Sequence, residues 1–200
     1  MMKRNMVFLC LALLLAGCTD TIDTTTREYR NTTNEAIDAM MMITNNTQAK
    51  NMKIRIFKPL IDRYAGTDKR VDAVKGNRSK KEFVKEVFES DSLHIYLTEL
   101  PINRQRFTLE LTRLRTLQKK LIEEDKECTD LTELLTIDSY LGPLRKHLQN
   151  PKIVEMMQEF PGLMKTEKEY PAMFDQFEKK RKSFALLTAD KKPREIKLAD

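Results

Sequence analysis

Only two histidines occur in this chain, His94 and His147, and neither has the neighbours that metal chemistry needs. A zincin helix carries a second His four residues on, and a carboxylate-bridged di-iron site a Glu three residues before the His. Neither pattern is present. Asp91 stands three residues before His94, a spacing common by chance, so a surface or half-buried imidazole is expected at both positions. Ser79 precedes two lysines but opens a helix cap, and no Gly-x-Ser-x-Gly elbow or phosphate-cradling glycine loop stands out. Glu123 and Glu124 are adjacent, so on a helix they diverge and cannot face each other as a glycosidase pair. Met40-Met41-Met42 and Met156-Met157 have thioethers of the kind that suits Cu(I), but adjacent methionines radiate around a helix and serve better as core filler. The residues therefore assign no catalytic group, no cofactor and no metal ligand.

One motif is specific. Lys3 and Arg4 precede an apolar run from Met6 to Leu15, which ends in Ala16-Gly17-Cys18. A charged start, about ten apolar residues and a small-residue end form the three-part layout of a secretory signal. The run is too short for a membrane span, which takes about 20 residues. Leu15-Ala16-Gly17-Cys18 resembles the lipobox of bacterial lipoproteins. The resemblance implies cleavage between Gly17 and Cys18, a thioether-linked diacylglycerol on Cys18 and acylation of the new amino terminus. Two or three acyl chains, such as palmitate, hold a protein stably to a bilayer where one does so only marginally. The implied place is the bacterial cell envelope. Thr19, not Asp, follows Cys18, which favours the outer over the inner membrane in a diderm cell.

Removing 17 of the 200 residues leaves 183, enough for one domain with a core. Lys3 and Arg4 leave with the leader, so 34 basic residues face 30 acidic ones, a balance of +4. In an envelope compartment that balance suits anionic lipid or acidic glycan, and nucleic acid is not an expected partner. Cys10 is lost and Cys18 is consumed by lipid, so Cys128 is the one free thiol and no intramolecular disulfide can form. It reads as a small buried hydrophobe. The chain is short of glycine and rich in Leu, Met, Lys, Glu and Arg, which points to helices.

The expected fold is all-α: an irregular bundle of about six helices over residues 32–187, after a polar tether at 18–31 and before a basic polar tail at 188–200. Thr32-x-x-Glu35 and Ser79-x-x-Glu82 read as capping boxes. Pro59 should kink its segment, and the alternation of Met52 to Ile56 also fits a strand. Gly66 to Arg78 reads as a loop. Leu93, Tyr96, Leu97 and Leu100 form a stripe before Pro101, and the clearest helix runs from Asn103 to Glu127, buried along Phe107, Leu111, Leu114, Leu117 and Leu121 with help from Ile122. Shorter pieces follow: Asp130 to Tyr140, a helix opened by Pro143, one behind Asn150-Pro151, and a last one from Tyr170-Pro171.

Glu123-Glu124-Asp125 ends the long helix against its own dipole, and Lys179-Lys180-Arg181-Lys182 lies on the last helix. The two clusters are expected to meet across a packed helix pair. The basic run is otherwise a solvated face or a contact for anionic headgroups. The leading expectation is a non-catalytic structural or interaction module, lipid-anchored through Cys18 and docking a protein partner in the envelope. The alternative is a ligand-binding or weakly enzymatic lipoprotein whose pocket is assembled from distant residues.

Overall fold

The computed structural model describes residues 20–136, 140–149 and 170–189, and among them there are helices and no strand. The leader, Gly17, Cys18 and the segment behind Asn150-Pro151 lie outside the described residues.

Helix α1 spans Ile22–Met41. It starts ten residues earlier than the tether reading allowed, because Thr21 and Thr24 form a reciprocal capping box: the Thr24 amide donates to Thr21 Oγ1 at 3.1 Å and the Thr21 amide to Thr24 Oγ1 at 2.9 Å. The inferred cap at Thr32 is absent, and Thr32 is buried in mid-helix. Threonine hid this face from a hydrophobic reading. Thr25 and Thr26 are buried yet return their hydroxyls to the backbone at Thr21 and Ile22, which satisfies them locally.

Helix α2 (Asn46–Met52) is capped by Asn45 and runs through a π-helical turn at Lys53–Phe57 into α3 (Lys58–Gly76). The wide turn is neither a strand nor a break. It lies just before Pro59, whose ring has no N–H and would clash with the carbonyl four residues back, so opening the turn relieves the conflict without ending the helix. α3 then continues to Gly76, through most of the expected loop at 66–78, with Val71 and Val74 buried on the same stripe as Tyr64 and Thr67. Gly66 and Gly76 have open space around them, so neither needs to be glycine for packing.

Ser79 and Glu82 cap α4 (Lys80–Glu89) reciprocally, and these bonds hold the Glu82 carboxyl below its ordinary range. Ser90 caps α5 (Asp91–Glu123), a single helix of 33 residues, about 50 Å long at 1.5 Å per residue. Pro101 does not break it. Its side chain is exposed, so the carbonyl that it leaves unpartnered can turn to water. Leu114, Phe107 and Leu121 are buried, Leu111 and Leu117 half-buried, and Ile122 is 60% exposed, past the edge of the stripe. α6 (Thr129–Leu135) is shorter than expected and begins at Cys128, which is half-exposed at the cap position and not buried. α7 (Gly142–Gln149) and α8 (Tyr170–Ala189) complete the described helices, and α8 runs two residues beyond the expected domain end.

Polar pairs give the layout. α1 and α5 lie side by side and parallel, joined by Arg30–Glu99 at 2.7 Å, Arg106–Asp38 at 2.6 Å and Arg113 donating to the carbonyls of Met40 and Ile43. α3 returns antiparallel to α1 through Arg63–Glu35 and Arg70–Glu28. α6 sits on α2, where Asn46 Oδ1 accepts from the Leu131 amide at 3.0 Å and Lys53 reaches Asp130 and Glu133. α8 crosses the first turns of α5 and the end of α4, with Phe177 against Phe88 and His94. The buried apolar side chains form one cluster.

The expected meeting of acidic and basic clusters does not occur. Glu123 and Glu124 pair with Lys119, Lys120 and Lys126, while Lys180 reaches Asp91 and Arg181 reaches Glu178. α8 lies at the start of α5 and the acidic residues at its far end, so the length of α5 separates them.

Candidate functional site

Three places gather chemistry-bearing side chains. The first is central. Tyr29 and Thr33 come from α1, Tyr64 and Asp68 from α3, Tyr96 from α5 and His147 from α7. Tyr96 Oη lies 2.8 Å from His147 Nε2, and the His147 ring stacks on Tyr29 at 4.4 Å between centroids, with Tyr64 at 4.8 Å. Tyr64 Oη and Thr33 Oγ1 are 3.1 Å apart, and Tyr29 donates to Asp68. Burial pushes the His147 imidazole down to about 3. Burial also raises all three phenols, Tyr29 further through Asp68. At neutral pH the ring is neutral and, buried, takes up a proton only well below its ordinary range, while the phenols keep theirs. The cluster ties four helices together by hydrogen bonds and ring packing. A surface or half-buried imidazole was expected, and both histidines are buried: His94 is 0% and His147 6% exposed.

His94 is held under α8. Its Nε2 donates to the Phe88 carbonyl at 3.1 Å, and Nδ1 has no partner among the described residues. Burial keeps the ring below its ordinary value. A second polar knot lies where α2 meets α6. The Lys53 ammonium is 2.6 Å from Asp130 and 2.5 Å from Glu133, with the Tyr140 ring 5.9 Å away. The bonds to Asp130 and Glu133 raise the lysine above its usual range.

The third place is the end of the bundle where α1 begins. Asp23 Oδ1 accepts from the Ser92 amide at 2.9 Å and Ser90 Oγ at 3.0 Å, fixing α1 to the start of α5. Burial alone would raise the Asp23 carboxyl, but these bonds and Arg27 outweigh it and hold it low. Arg78 donates to the Asp20 carbonyl at 3.0 Å and faces Glu86 at 3.4 Å, closing the α3–α4 corner over Asp20. Between these groups lies an open depression of about 690 Å³, lined among others by Thr21, Asp23, Arg78, Lys85 and Glu89. Lys179, Arg181 and Lys182 are exposed on α8 at the same end, and Lys180 is half-exposed against Asp91. No three His, Cys, Asp or Glu side chains among the described residues are arranged to hold a metal ion. No described helix is long and apolar enough to cross a membrane.

Fold and site together define an all-helical bundle held by a buried tyrosine–histidine cluster, with a charged end at the start of its first helix. Comparison with protein-family models, with curated proteins and with solved structures finds no match for this chain. The cluster was missed in sequence because Tyr29 lay in the segment read as tether. The i, i+4 pairs Tyr29 with Thr33 and Tyr64 with Asp68 were the available signal.

Proposed function

We propose that this chain is a bacterial envelope lipoprotein, acylated on Cys18, whose helical domain is a non-catalytic structural or partner-docking module. The observation that carries the reading is the start of α1 at Ile22, behind its Thr21 cap. Three steps of chain separate Cys18 from that cap, a reach of about 10 Å at most. A lipid on Cys18 would then hold a folded bundle directly at the bilayer, in place of a domain swinging on a long leash.

Two features support a docking or structural role over catalysis. The buried tyrosines and His147 are engaged with partners on neighbouring helices. The large exposed apolar side chains Met42, Ile54, Leu109 and Ile122 belong to the half of the bundle away from Thr21, where a partner in the envelope would meet them. The depression at the opposite end favours a ligand-binding reading less, because its charged lining is paired within itself.

The anchor is tested by growth with labelled palmitate. Label should enter the wild-type chain and be lost in Cys18→Ser, which should accumulate as precursor. Equal labelling of the two would overturn the anchor. The module reading is tested by a photo-crosslinking residue at Met42 or Leu109 in intact cells. A shared adduct from both positions supports docking, and the absence of any adduct from either removes its support.

A further inference from the structure

We infer that the bundle stands on the membrane by its α1-start end, with Lys80, Lys179 and Lys182 in contact with anionic lipid headgroups. This rests on acylation of Cys18, and adds which face meets the bilayer and what the face recognises.

Five helices converge at this end. Thr21 begins α1; Arg78, at the α3–α4 corner, bonds the Asp20 carbonyl; Asp23 holds the start of α5; and Lys180 of α8 reaches Asp91. Thr21 and the residues that follow it are therefore tied to the rest of the bundle, while the leash from Cys18 is about 10 Å at most. The opposite end, where α5 stops at Glu123, is about 50 Å away along that helix. Only one end can reach the surface to which Cys18 is fixed.

The charges at that end divide unevenly in their engagement. Four carboxylates there are ion-paired, Glu86 with Arg78, Glu89 with Lys85, Asp91 with Lys180 and Glu178 with Arg181, while Asp23 and Glu82 accept hydrogen bonds from Ser90, Ser92 and Ser79. Lys80, Lys179 and Lys182 are exposed, and no carboxylate among the described residues pairs with them. An anionic surface within a Debye length, about 8 Å at physiological salt, attracts such ammonium groups and is opposed less by carboxylates that are already ion-paired. The depression beside Thr21 adds room for headgroups between the charged walls.

The test uses the acylated full-length chain in vesicles of phosphatidylcholine with or without phosphatidylglycerol. Cys128 is the free thiol near the far end of α5, so it takes a fluorophore as the distal probe. Ser183→Cys in a Cys128→Ser background gives the proximal probe. Headgroup-spin-labelled lipid should quench the proximal probe strongly and the distal one hardly at all. A basic side chain near an anionic surface weights the apposed orientation by about fivefold. Lys80→Glu with Lys179→Glu and Lys182→Glu should therefore reduce proximal quenching on anionic vesicles, as should raised salt. Equal quenching of both probes, or triple-variant quenching unchanged on anionic vesicles, overturns the proposal. Quenching that is the same on zwitterionic and anionic vesicles also overturns it, since the leash alone would then orient the bundle. Loss of vesicle attachment with no lipid on Cys18 by mass would instead sink the anchor itself. Circular dichroism of the triple variant separates these outcomes from misfolding, and Lys179→Gln with Lys182→Gln gives a milder second variant with a smaller expected loss.

Discussion

Tyr96 and His147 are 51 residues apart in sequence, yet the phenol oxygen of one lies 2.8 Å from Nε2 of the other inside the bundle. The bond fastens the short helix α7 to the long helix α5. Removing either partner leaves a buried polar atom without a bond, which costs more than removing both.

Tyr96→Phe should therefore destabilise the protein by about 1–3 kcal/mol, read as a lower denaturant midpoint. The double variant Tyr96→Phe with His147→Phe should lose less than the sum of the two single losses. Strict additivity would show that the two side chains are not coupled.

Stability should fall on acidification because of His147. Its folded value near 3 lies below the ordinary unfolded value of about 6.5, so the unfolded chain binds the extra proton. The stabilisation is fully present above about pH 6.5 and is lost as the pH falls towards 3, with a limiting slope of about 1.4 kcal/mol per pH unit from this one group. Burial shifts His94 in the same direction, so it adds to the trend. Denaturation midpoints at pH 7 and pH 5 should converge in His147→Gln relative to wild type. Identical pH dependence in the two would rule out His147 as the source.

Asp125 ends α5 in the left-handed region, with φ of 53°. The Lys126 amide donates back to the Leu121 carbonyl at 2.8 Å, the long bond of a Schellman turn, in a position that favours glycine. Asp125→Gly should raise stability by about 0.5–1 kcal/mol, since the strain removed exceeds the added chain entropy and a negative charge leaves the helix C-terminus. A lower melting temperature for this variant would contradict the motif.

Along α5, Leu114 is fully buried and Leu111 only half-buried. Leu114→Ala should cost about 2–5 kcal/mol, as a cavity in a closed site does, and Leu111→Ala distinctly less. Equal losses would mean that the two leucines share one environment. Periodicity alone puts Leu111 on the buried stripe, since it places a residue on a face but not how far the neighbouring helix covers it.

Local chemistry was legible where it is decided within one turn. Ser79 with Glu82 forms its cap from residues three apart, and the helix opened by Pro143 and the one begun at Tyr170-Pro171 lie where expected. The all-helical class followed from composition for the same reason, because propensity is a property of each residue. The first ten residues of α1 were not legible, since their inward face is mostly threonine and tyrosine, and these are core-like only when a neighbour covers them. The expected loop at 66–78 failed similarly: Val71 and Val74 are too few to mark a stripe until α1 packs on it.

By itself, then, the sequence determined the helical class, the cap at Ser79, the lack of a local catalytic motif and the Cys18 signature on which the anchor proposal rests. Only tertiary structure decided that Tyr29, Tyr64, Tyr96 and His147 share one buried cluster and that α8 lies at the start of α5, not its acidic end. Caps and propensities act over three or four residues, where the chain holds the groups together. Which helices become neighbours depends on how distant faces bury one another, and no short stretch of the chain contains that information.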